Sequence, residues 1–466
     1  MKSRKLLAML MVVVLVIVSA MPVVMAENEQ HEIGNIVEYI NFYDLGIVDV
    51  FCEHTGLNME ILNCPEQLEW FLYSRERMYL QQPAIEAYNL LMREFISDSN
   101  GWREFVYRDD YAGAFIDENN NLVIQLTSTD AYIVAFYNAL VEYSDVVNFA
   151  EAAFSFNELN EFGRFFVDVL YESNLQVISH GIDTINNAFS ISLYYADVDS
   201  VAFANSFSMM ARALPVPISI ELRGHLDIGQ QEERAVNVET EMLNGIAPTS
   251  VFNNLLAGGT GIGSGHANTF SVGATGISPG GNALVTTGHF NGISVGLPVR
   301  RNGVEIGTVM VFRHGSFSGG NPGTWHGDWA IVRLNDRGSE LMTSFLRTGE
   351  RLGSISNSWI SPVGTFVAGT GMTTLSWGGV VARINQEFYP GRINITTGIS
   401  FVTPSGSNRP SSGDSGGTIV SGFSAAGGGL IFDGVYTGRL LHQNTGEIAY
   451  WVYTPYHWFA HWFGPR

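Results

Sequence analysis

Residues 411–420 have the sequence SSGDSGGTIV. The fold that we predict for the C-terminal part of the chain depends on whether this segment is a simple turn or part of a catalytic site. By itself, a serine flanked by glycines is typical of a turn, because glycine and serine cluster in loops. A serine hydroxyl becomes a nucleophile only when a base lies within hydrogen-bond reach and a third group orients that base. Ser415 therefore needs partners elsewhere in the chain.

Two further segments supply candidate partners for this serine. VTTGHF places His289 at the end of an apolar segment, and GDWAIVRL places Asp328 at the head of a segment that alternates apolar and polar residues. A carboxylate in that position can be half buried and aimed at an imidazole. The order His, Asp, Ser distinguishes one of the known triad arrangements from the others. Together the three segments predict that Ser415 is a nucleophile.

The surrounding sequence predicts many short strands. From Ala257 onward Gly, Ser and Thr are frequent, and apolar segments recur at intervals of roughly ten residues, a spacing typical of an all-β sandwich or barrel. These segments are NTFSVGAT, NALVTTGHF, GTVMVF, DWAIVRL, GTFVAGTG, GGVVARI, GTIVSG and IFDGVYTG. We expect the final YTPYHWFAHWFG to form a closing helix.

The preceding part of the chain mixes helical and strand patterns. Residues 34–110 have apolar spacings of three and four, which indicate helices. YAGAFIDENNNLVIQLT (111–127) alternates on both sides of an Asn cluster and predicts a hairpin. A further helical stretch is expected at about residues 130–172, and a strand pair in LQVIS and AFSISLYY. This part is therefore predicted to be α+β.

The first 26 residues have the composition of a secretory signal peptide. Lys2, Arg4 and Lys5 precede an apolar run that extends to Met25, and Ala26 follows before Glu27. An uncleaved membrane anchor is the alternative, because the run is long enough for one. We expect a secreted, extracellular protein that meets the membrane only through residues 1–26.

Cys52 and Cys64 are the two cysteines of the chain. Thiols of exported proteins tend to pair, so a disulfide between them is expected. Two buried free thiols are the alternative interpretation.

Charge divides the chain into two contrasting parts. Residues 254–466 carry twelve Arg, no Lys and nine acidic residues, a net charge of +3, whereas residues 27–253 carry a net charge of −27. Opposite fields favour association of the two parts. The alternative is an acidic domain kept soluble by its charge. Nucleic acid is not an expected partner of either part.

VTTGHF, GDWAIVRL and SSGDSGG resemble the three catalytic segments of the chymotrypsin-like serine endopeptidases, and most closely the bacterial alpha-lytic protease and streptogrisin subgroup. LLAGGTGIGSGHANTFSVGATG is similar to the start of those mature enzymes, and residues 111–127 to a segment of their pro-region. The resemblance implies an all-β double β-barrel catalytic domain, residues 254–466. An α+β pro-domain, residues 27–253, would precede it as folding aid and inhibitor.

The resemblance also implies roles for individual residues. Ser415 would be the nucleophile, His289 the general base and then acid, and Asp328 the group that fixes the His tautomer. The backbone N–H groups of Gly413 and Ser415 would form the oxyanion hole. The substrate-binding residues would be Ser412, Tyr436, Thr437, Gly438 and Arg439. Arg439 either caps the pocket and points into water, which we favour, or attracts an acidic side chain.

The sequence departs from the family pattern at several positions. Phe290 replaces a cysteine that commonly follows the catalytic His, and Val367 and Trp377 replace a cysteine pair. Ala368 stands where the family often has an Arg that neutralises the carboxylate corresponding to Asp414. An unpaired buried carboxylate is costly. We therefore expect another group, such as Arg409 or a new N-terminus, to pair with Asp414.

Two functions from different classes fit these observations. The first is a secreted serine endopeptidase that acts on polypeptides, made as a precursor that its own pro-region inhibits, with no cofactor. The second is a catalytically silent binding module on the cell surface. His457 and His461 have a spacing that suits a metal on a helix, but their aromatic neighbours favour a packed helix over a zinc site.

Overall fold

The structure is a computed structural model, and we call residues 65–227 the N-terminal half and residues 255–465 the C-terminal half. It describes residues 65–99, 102–141, 144–172, 177–194, 216–223, 226–227, 255–265, 269–290, 292–313, 323–353, 360–391, 394–423, 429–441 and 447–465. The predicted signal peptide, the predicted disulfide between Cys52 and Cys64, and residues 228–254 lie outside the described residues.

The first barrel of the C-terminal half is built on a six-stranded sheet. In spatial order its strands are β15 (Pro298–Arg301), β16 (Val304–Arg313), β18 (Trp329–Leu334), β14 (Gly281–Thr286), β13 (Ala274–Ser278) and β26 (Gly464–Pro465). A short antiparallel pair, β11 (Gly261–Ile262) and β12 (Phe270–Ser271), comes just before β13 in the chain. A bridge between Gly263 and Arg300 connects this pair to β15, which closes the barrel.

The turn between β15 and β16 shows how local sequence sets the strand register. Asn302 and Gly303 form a two-residue connection, and their φ angles are 49° and 77°. Both residues therefore lie in the left-handed region, as a type I′ turn requires, and Asn-Gly is the sequence that this turn favours. The turn twist matches the twist of the two strands and fixes their pairing.

The second barrel is a closed ring of antiparallel strands. In order they are β20 (Phe366–Thr370), β21 (Trp377–Gly391), β22 (Asn394–Ser405), β25 (Ile448–Pro455), β24 (Leu430–Leu441) and β23 (Thr418–Phe423), and β23 pairs back with β20. β17 (Gly323–His326) adds to β22 in parallel. β10 (Leu256–Gly258), the short helix α4 (Asp336–Glu340) and β19 (Met342–Leu346) lie outside the two rings. The predicted double β-barrel is confirmed.

Three apolar clusters hold the C-terminal half together. Leu284, Ile306 and Val332 are among the residues that fill the first barrel. Trp377, Ile419 and Trp451 belong to the cluster inside the second barrel. A third cluster, which includes Trp329 and Phe432, packs between the barrels. Because burial of apolar side chains is the main favourable term in folding, these clusters fix the relative position of the barrels.

The N-terminal half is α+β, as predicted. Its first elements are α1 (Pro65–Glu94), β1 (Ile96–Ser99), β2 (Trp102–Phe105), β3 (Tyr111–Ile116), β4 (Leu122–Leu126), α2 (Ala131–Leu140), β5 (Val147–Glu151) and α3 (Phe156–Glu172). β3, β4 and β5 form one sheet. β6 (Val177–Asp183), β7 (Ala188–Tyr194) and β8 (Ile218–Arg223) form a second sheet, which β6 joins to β21 of the second barrel. β9 (Leu226–Asp227) pairs with β24.

The hairpin predicted at residues 111–127 and the strand pair predicted in LQVIS and AFSISLYY are confirmed as β3–β4 and β6–β7. Two helical predictions are partly wrong. The antiparallel pair β1–β2 replaces the end of the helical region expected at 34–110, and β5 interrupts the one expected at 130–172. β5 adds to the edge of β4, so tertiary pairing overrides the local helical pattern there.

The predicted closing helix is also wrong. Tyr453 and Thr454 are part of β25, a 3₁₀ helix covers only Tyr456–Trp458, and the chain ends in β26. The aromatic residues of this segment pack into the core instead, and Phe459 and Phe463 are buried between the barrels.

The cysteine replacements are accommodated by packing. Phe290 stacks on Phe270 with ring centroids 4.3 Å apart, and Val367 and Trp377 are fully buried in the second barrel. In the described part of the chain, no helix is long and apolar enough to cross a membrane.

Candidate active site

Strand pairing in the first barrel brings His289 and Asp328 together. β14 ends at Thr286, three residues before His289, and β18 begins at Trp329, directly after Asp328. The two strands are antiparallel neighbours, with Thr286 opposite Ala330. The end of one strand therefore lies beside the start of the other, and both side chains reach the same edge of the barrel.

The Asp328 carboxylate is buried and fully engaged. His289 Nδ1 lies 2.7 Å from Asp328 Oδ2, and the Gly288 N–H donates to Oδ1 at 3.0 Å. The Thr287 hydroxyl donates to Oδ2 at 2.9 Å. An ionised carboxylate only accepts hydrogen bonds, so Nδ1 of the imidazole carries the proton. This tautomer leaves Nε2 as the acceptor, which is the state a general base needs.

Two threonines of the second barrel, Thr454 and Thr437, form a hydrogen-bonded chain that reaches the backbone of Asp328. The Asp328 N–H donates to Thr454 Oγ1 at 2.8 Å, and Thr437 Oγ1 lies 3.1 Å from Thr454 Oγ1. The second barrel thus holds the backbone of Asp328, while residues of the first barrel contact its carboxylate. Sequence analysis did not assign Thr287 or Thr454 to the site, since threonines in strands carry no signal that separates them from ordinary β residues.

The loop that carries Ser415 meets the first barrel through Ser271. The Ser271 N–H donates to the Ser415 carbonyl at 2.8 Å, and the Thr286 hydroxyl donates to the Ser271 carbonyl at 2.6 Å. Gly416 lies so close to this strand that a Cβ there would be 2.7 Å from the backbone nitrogen of Thr287. The nucleophile candidate is therefore adjacent to the chain that leads into His289.

Thr373 holds the peptide group that carries the Gly413 amide. Its hydroxyl donates to the Ser412 carbonyl at 2.6 Å. A trans peptide directs its C=O and N–H to opposite sides, so the Gly413 N–H points away from Thr373. Gly413 has φ of +94°, and the Ser271 hydroxyl donates to its carbonyl at 2.8 Å. The orientation of this amide is thus fixed on both sides of Gly413.

Backbone amides hold Asp414, so the expectation that Arg409 pairs with it is wrong, whereas pairing with a new N-terminus stays a prediction. Oδ1 accepts from the N–H groups of Thr373 and Thr374 at 2.8 and 2.9 Å, and Oδ2 accepts from Ser411 N–H at 2.8 Å. Arg409 instead donates to the carbonyls of Gly406 and Asn408. Burial raises the pKa of Asp414 to about 6, although the three amides favour its charged form.

The loop that supplies these amides is itself anchored. Nη1 of Arg347 donates to the carbonyls of Gly371 and Met372, directly before Thr373. The Met372 N–H donates to Ser271 Oγ at 2.8 Å. Segment 371–374 therefore connects Asp414 and Ser412 to a charged side chain at the end of β19.

The five predicted substrate-binding residues have different surroundings. The Tyr436 ring is buried in the second barrel against Trp377, so only its backbone faces the nucleophile loop, where its carbonyl accepts from Gly416 N–H at 2.7 Å. Thr437 is buried and directed at Thr454, whereas Ser412 is exposed. Gly438 and Arg439 lie on β24 opposite Val452 and Trp451.

Arg439 contacts the far wall of the predicted pocket. It is half-buried, and its Nη1 lies 3.5 Å from the Pro410 carbonyl. This contact places the guanidinium across the pocket from β24.

His457 and His461 do not lie together on one helix, because the aromatic C-terminal segment forms only a short 3₁₀ helix. His457 is buried and meets Phe105 edge-to-face at 5.6 Å, and His461 contacts Trp462. Among the described residues, no group of three or more His, Cys, Asp or Glu side chains is placed to hold a metal ion.

Thr373→Val is expected to lower kcat for peptide hydrolysis about fivefold with little change in KM. The substitution keeps the side-chain shape but removes the hydrogen bond that orients the Gly413 amide, and such a bond contributes about 1 kcal/mol. Steady-state kinetics of the purified enzyme measure the effect. Thr373→Ser restores the hydroxyl and should restore kcat, whereas Thr403→Val, at an exposed threonine of β22, should change nothing. A normal kcat in Thr373→Val would contradict the assigned role.

Comparisons with known proteins found one matching family model and several similar solved structures. A family model described as "Pro-like N-terminal domain" matches residues 74–147. Among solved structures, the chain is similar to Cellulomonas bogoriensis chymotrypsin, with 22% identity and a TM-score of 0.31 over 43% of this chain and 91% of that one. Nocardiopsis protease has 22% identity and a TM-score of 0.34, over 45% and 99%. Thermobifida fusca protease A has 21% identity and a TM-score of 0.34, over 46% and 100%. No curated protein matches the sequence.

The two closed barrels and the His–Asp pair at their junction define a protein with the double-barrel fold of serine proteases. The segment that matches the Pro-like N-terminal domain model, residues 74–147, precedes the two barrels in the chain.

Proposed function

We propose that the chain is the precursor of a secreted serine endopeptidase, with residues 1–26 as signal peptide, 27–253 as pro-region and 254–466 as catalytic domain. The observation that carries the proposal is the His289 Nδ1–Asp328 Oδ2 contact of 2.7 Å beside the loop of Ser415. The Thr287 hydroxyl and the Gly288 N–H each donate a hydrogen bond to the Asp328 carboxylate. These contacts give the imidazole the tautomer that can accept a proton at Nε2.

In the proposed reaction, Ser415 Oγ attacks the carbonyl carbon of the scissile peptide bond while His289 Nε2 takes the hydroxyl proton. Among the described residues, the hydrogen bonds of the His289 ring are those of Nδ1 to Thr287 and Asp328. The mechanism requires a hydrogen bond from Ser415 Oγ to Nε2, and catalytic contacts of this kind often tighten only in the substrate complex. The negative charge that develops on the carbonyl oxygen is stabilised by the N–H groups of Gly413 and Ser415. The contacts that Thr373 and Ser271 make orient the Gly413 amide before substrate arrives.

Collapse of the tetrahedral intermediate breaks the C–N bond, and His289 gives its proton to the leaving amine. The acyl-enzyme on Ser415 is then hydrolysed by water, with His289 acting again as base. Asp328 keeps its charge throughout and stabilises the imidazolium that forms in each half of the reaction.

Hydrolysis of an unstructured protein substrate tests the proposed activity. The purified, processed chain should release peptides from casein, and prior treatment with a fluorophosphonate should stop the release. A processed chain with no hydrolytic activity would favour the alternative, a catalytically silent binding module.

The N-terminal half is proposed to inhibit the site before processing. β9 pairs with the outer edge of β24, with Asp227 opposite Arg439 and Leu226 opposite Leu440. Arg439 belongs to the predicted substrate-binding strand, so a polypeptide substrate would need the same edge. Side-chain contacts add to the contact between the halves: Arg383 forms an ion pair with Glu221 at 2.6 Å, and His180 Nε2 lies 3.3 Å from the Glu387 carboxylate.

We expect residues 27–253, added in trans, to speed refolding of residues 254–466 and then to inhibit the refolded product. The C-terminal part depends on non-local strand pairing, which is slow. Association should weaken as salt rises, because net charges of −27 and +3 attract and the screening length falls to about 8 Å at physiological strength. Cleavage is predicted between Gly245 and Leu256. Equal refolding rates and equal activity with and without the added part would exclude a pro-region role.

A further inference from the structure

The first half of α1 packs on the C-terminal half of the protein. We call residues Trp70–Gln82 the docking arm. Met78 is completely buried in the cluster between the barrels, together with Leu346, Phe366 and Val420. The following turns of the same helix, from Ala84 to Met92, contribute to the core of the N-terminal half instead. One helix therefore contributes to the cores of both halves.

A charged pair is buried where the arm crosses the second barrel. Both Nε and Nη2 of Arg75 donate to the Glu350 carboxylate, and the side chains are 8% and 14% exposed. The Thr348 hydroxyl donates to the same carboxylate at 3.0 Å. Separation of the halves would leave Glu350 without the guanidinium. The two parallel charge-assisted hydrogen bonds have a defined geometry, so they fix the position of the arm on this surface.

Two glutamines of the arm satisfy backbone groups of the second barrel. Gln81 donates to the Gly364 carbonyl at 3.0 Å and accepts from the Phe366 N–H at 2.7 Å, at the start of β20. Gln82 accepts from the Phe423 N–H at 2.9 Å, at the end of β23. Buried backbone groups need such partners. The arm thus completes the hydrogen bonding of two strands as well as their apolar packing.

These two strands flank the loops around Ser415 in the candidate active site. β20 leads into segment 371–374, which supplies amides to Asp414, and β23 begins three residues after Ser415. The inhibitory contact is elsewhere, at β9 and the edge of β24. In the N-terminal half, the docking arm therefore supports the site, whereas β9 obstructs it.

We propose that the docking arm is a permanent part of the catalytic unit. After cleavage of the linker it stays bound to the second barrel, so the active protein consists of two chains. In the processed enzyme the arm holds β20 and β23 in place, while displacement of β9 alone opens the substrate edge. The inference rests on the proposed function for its reference to activity, but the binding that it requires exists without catalysis.

The test uses the full chain with Ser415→Ala and a recognition sequence for an unrelated protease inserted in the linker. After this linker is cut, native mass spectrometry and gel filtration at nanomolar concentration measure whether the two pieces stay together. We expect them to remain bound. Hydrogen exchange at residues 366–370 and 418–423 should be as slow as in the uncut chain.

Arm variants separate this inference from general affinity between the halves. Arg75→Ala and Met78→Ala should each weaken the association at least tenfold and accelerate exchange in β20 and β23. Matched controls on the exposed side of the same helix, Glu76→Ala and Tyr79→Ala, should do neither. If a core variant fails to fold, Gln82→Ala replaces it, because Gln82 is only half-buried.

Two results would overturn the inference. One is separation of the cut pieces in the chain with an intact arm. The other is association of the arm variants as tight as that of their controls. Neither readout depends on hydrolysis, since Ser415 is absent throughout. An inactive protein whose arm stays bound would contradict the proposed function and leave the docking arm established.

Discussion

Ser415→Ala is expected to lower peptide hydrolysis by about six orders of magnitude, the loss typical when a nucleophilic serine is removed. Alanine has no hydroxyl to attack the substrate carbonyl, and no neighbouring side chain supplies one in the same position. The fold should be unaffected, because the contacts of residue 415 that hold its loop are backbone contacts: its carbonyl accepts from the Ser271 N–H. Turnover of a peptide ester or amide measures the loss.

A matched serine-to-alanine change separates this effect from general damage. Ser294→Ala removes an exposed hydroxyl in the loop between β14 and β15 and should leave turnover unchanged. Thermal unfolding of both variants should match that of the parent chain. Activity of Ser415→Ala close to that of the parent would rule out Ser415 as the nucleophile and, with it, the proposed mechanism.

The second large effect is expected for Asp328→Asn, which should reduce kcat by about four orders of magnitude. Asp328 Oδ2 now receives the Nδ1 proton of His289 over 2.7 Å. An amide NH₂ in that position would donate instead and would require a bare Nδ1, which moves the imidazole proton to Nε2. His289 could then no longer accept the proton of Ser415. Because Asn is nearly isosteric, the barrel should stay folded.

Asp336 provides the control for this change. It is an exposed carboxylate at the start of α4, close to Asp328 in sequence and without a contact to His289. Asp336→Asn should have nearly normal kinetics. If Asp336→Asn were the damaging change and Asp328→Asn were neutral, the orienting group would be misassigned.

The fold of the C-terminal half follows from short-range patterns. Asn302-Gly303 specifies its turn, and the alternation around Asp328 places that residue at the head of a strand. Each predicted apolar segment from NTFSVGAT to IFDGVYTG contains a strand. Local patterns fail where another element decides the conformation. β5 reads as helix but adds to β4, and the final aromatic residues pack between two barrels instead of forming a helix.

In the candidate site, too, local sequence predicts some residues, while others are determined by tertiary contacts. Sequence patterns select His289, Asp328 and Ser415 as candidates, because each lies in a segment with a distinctive composition. They do not identify Thr373, Ser271 or Arg347, whose roles depend on loops that meet only in the folded protein. The backbone amides that bind Asp414 cannot be predicted from the sequence either, because almost every residue has a backbone N–H.

Covalent labelling tests the central claim most directly. The purified, processed protein is treated with a fluorophosphonate probe, digested and analysed by mass spectrometry, with the Ser415→Ala chain as a parallel sample. Reaction requires an assembled nucleophile, base and oxyanion hole. The account predicts stoichiometric modification of the peptide that contains Ser415, at this serine, and no labelling of the alanine variant. An unlabelled Ser415 in a correctly processed protein, or a label at another serine, would contradict it.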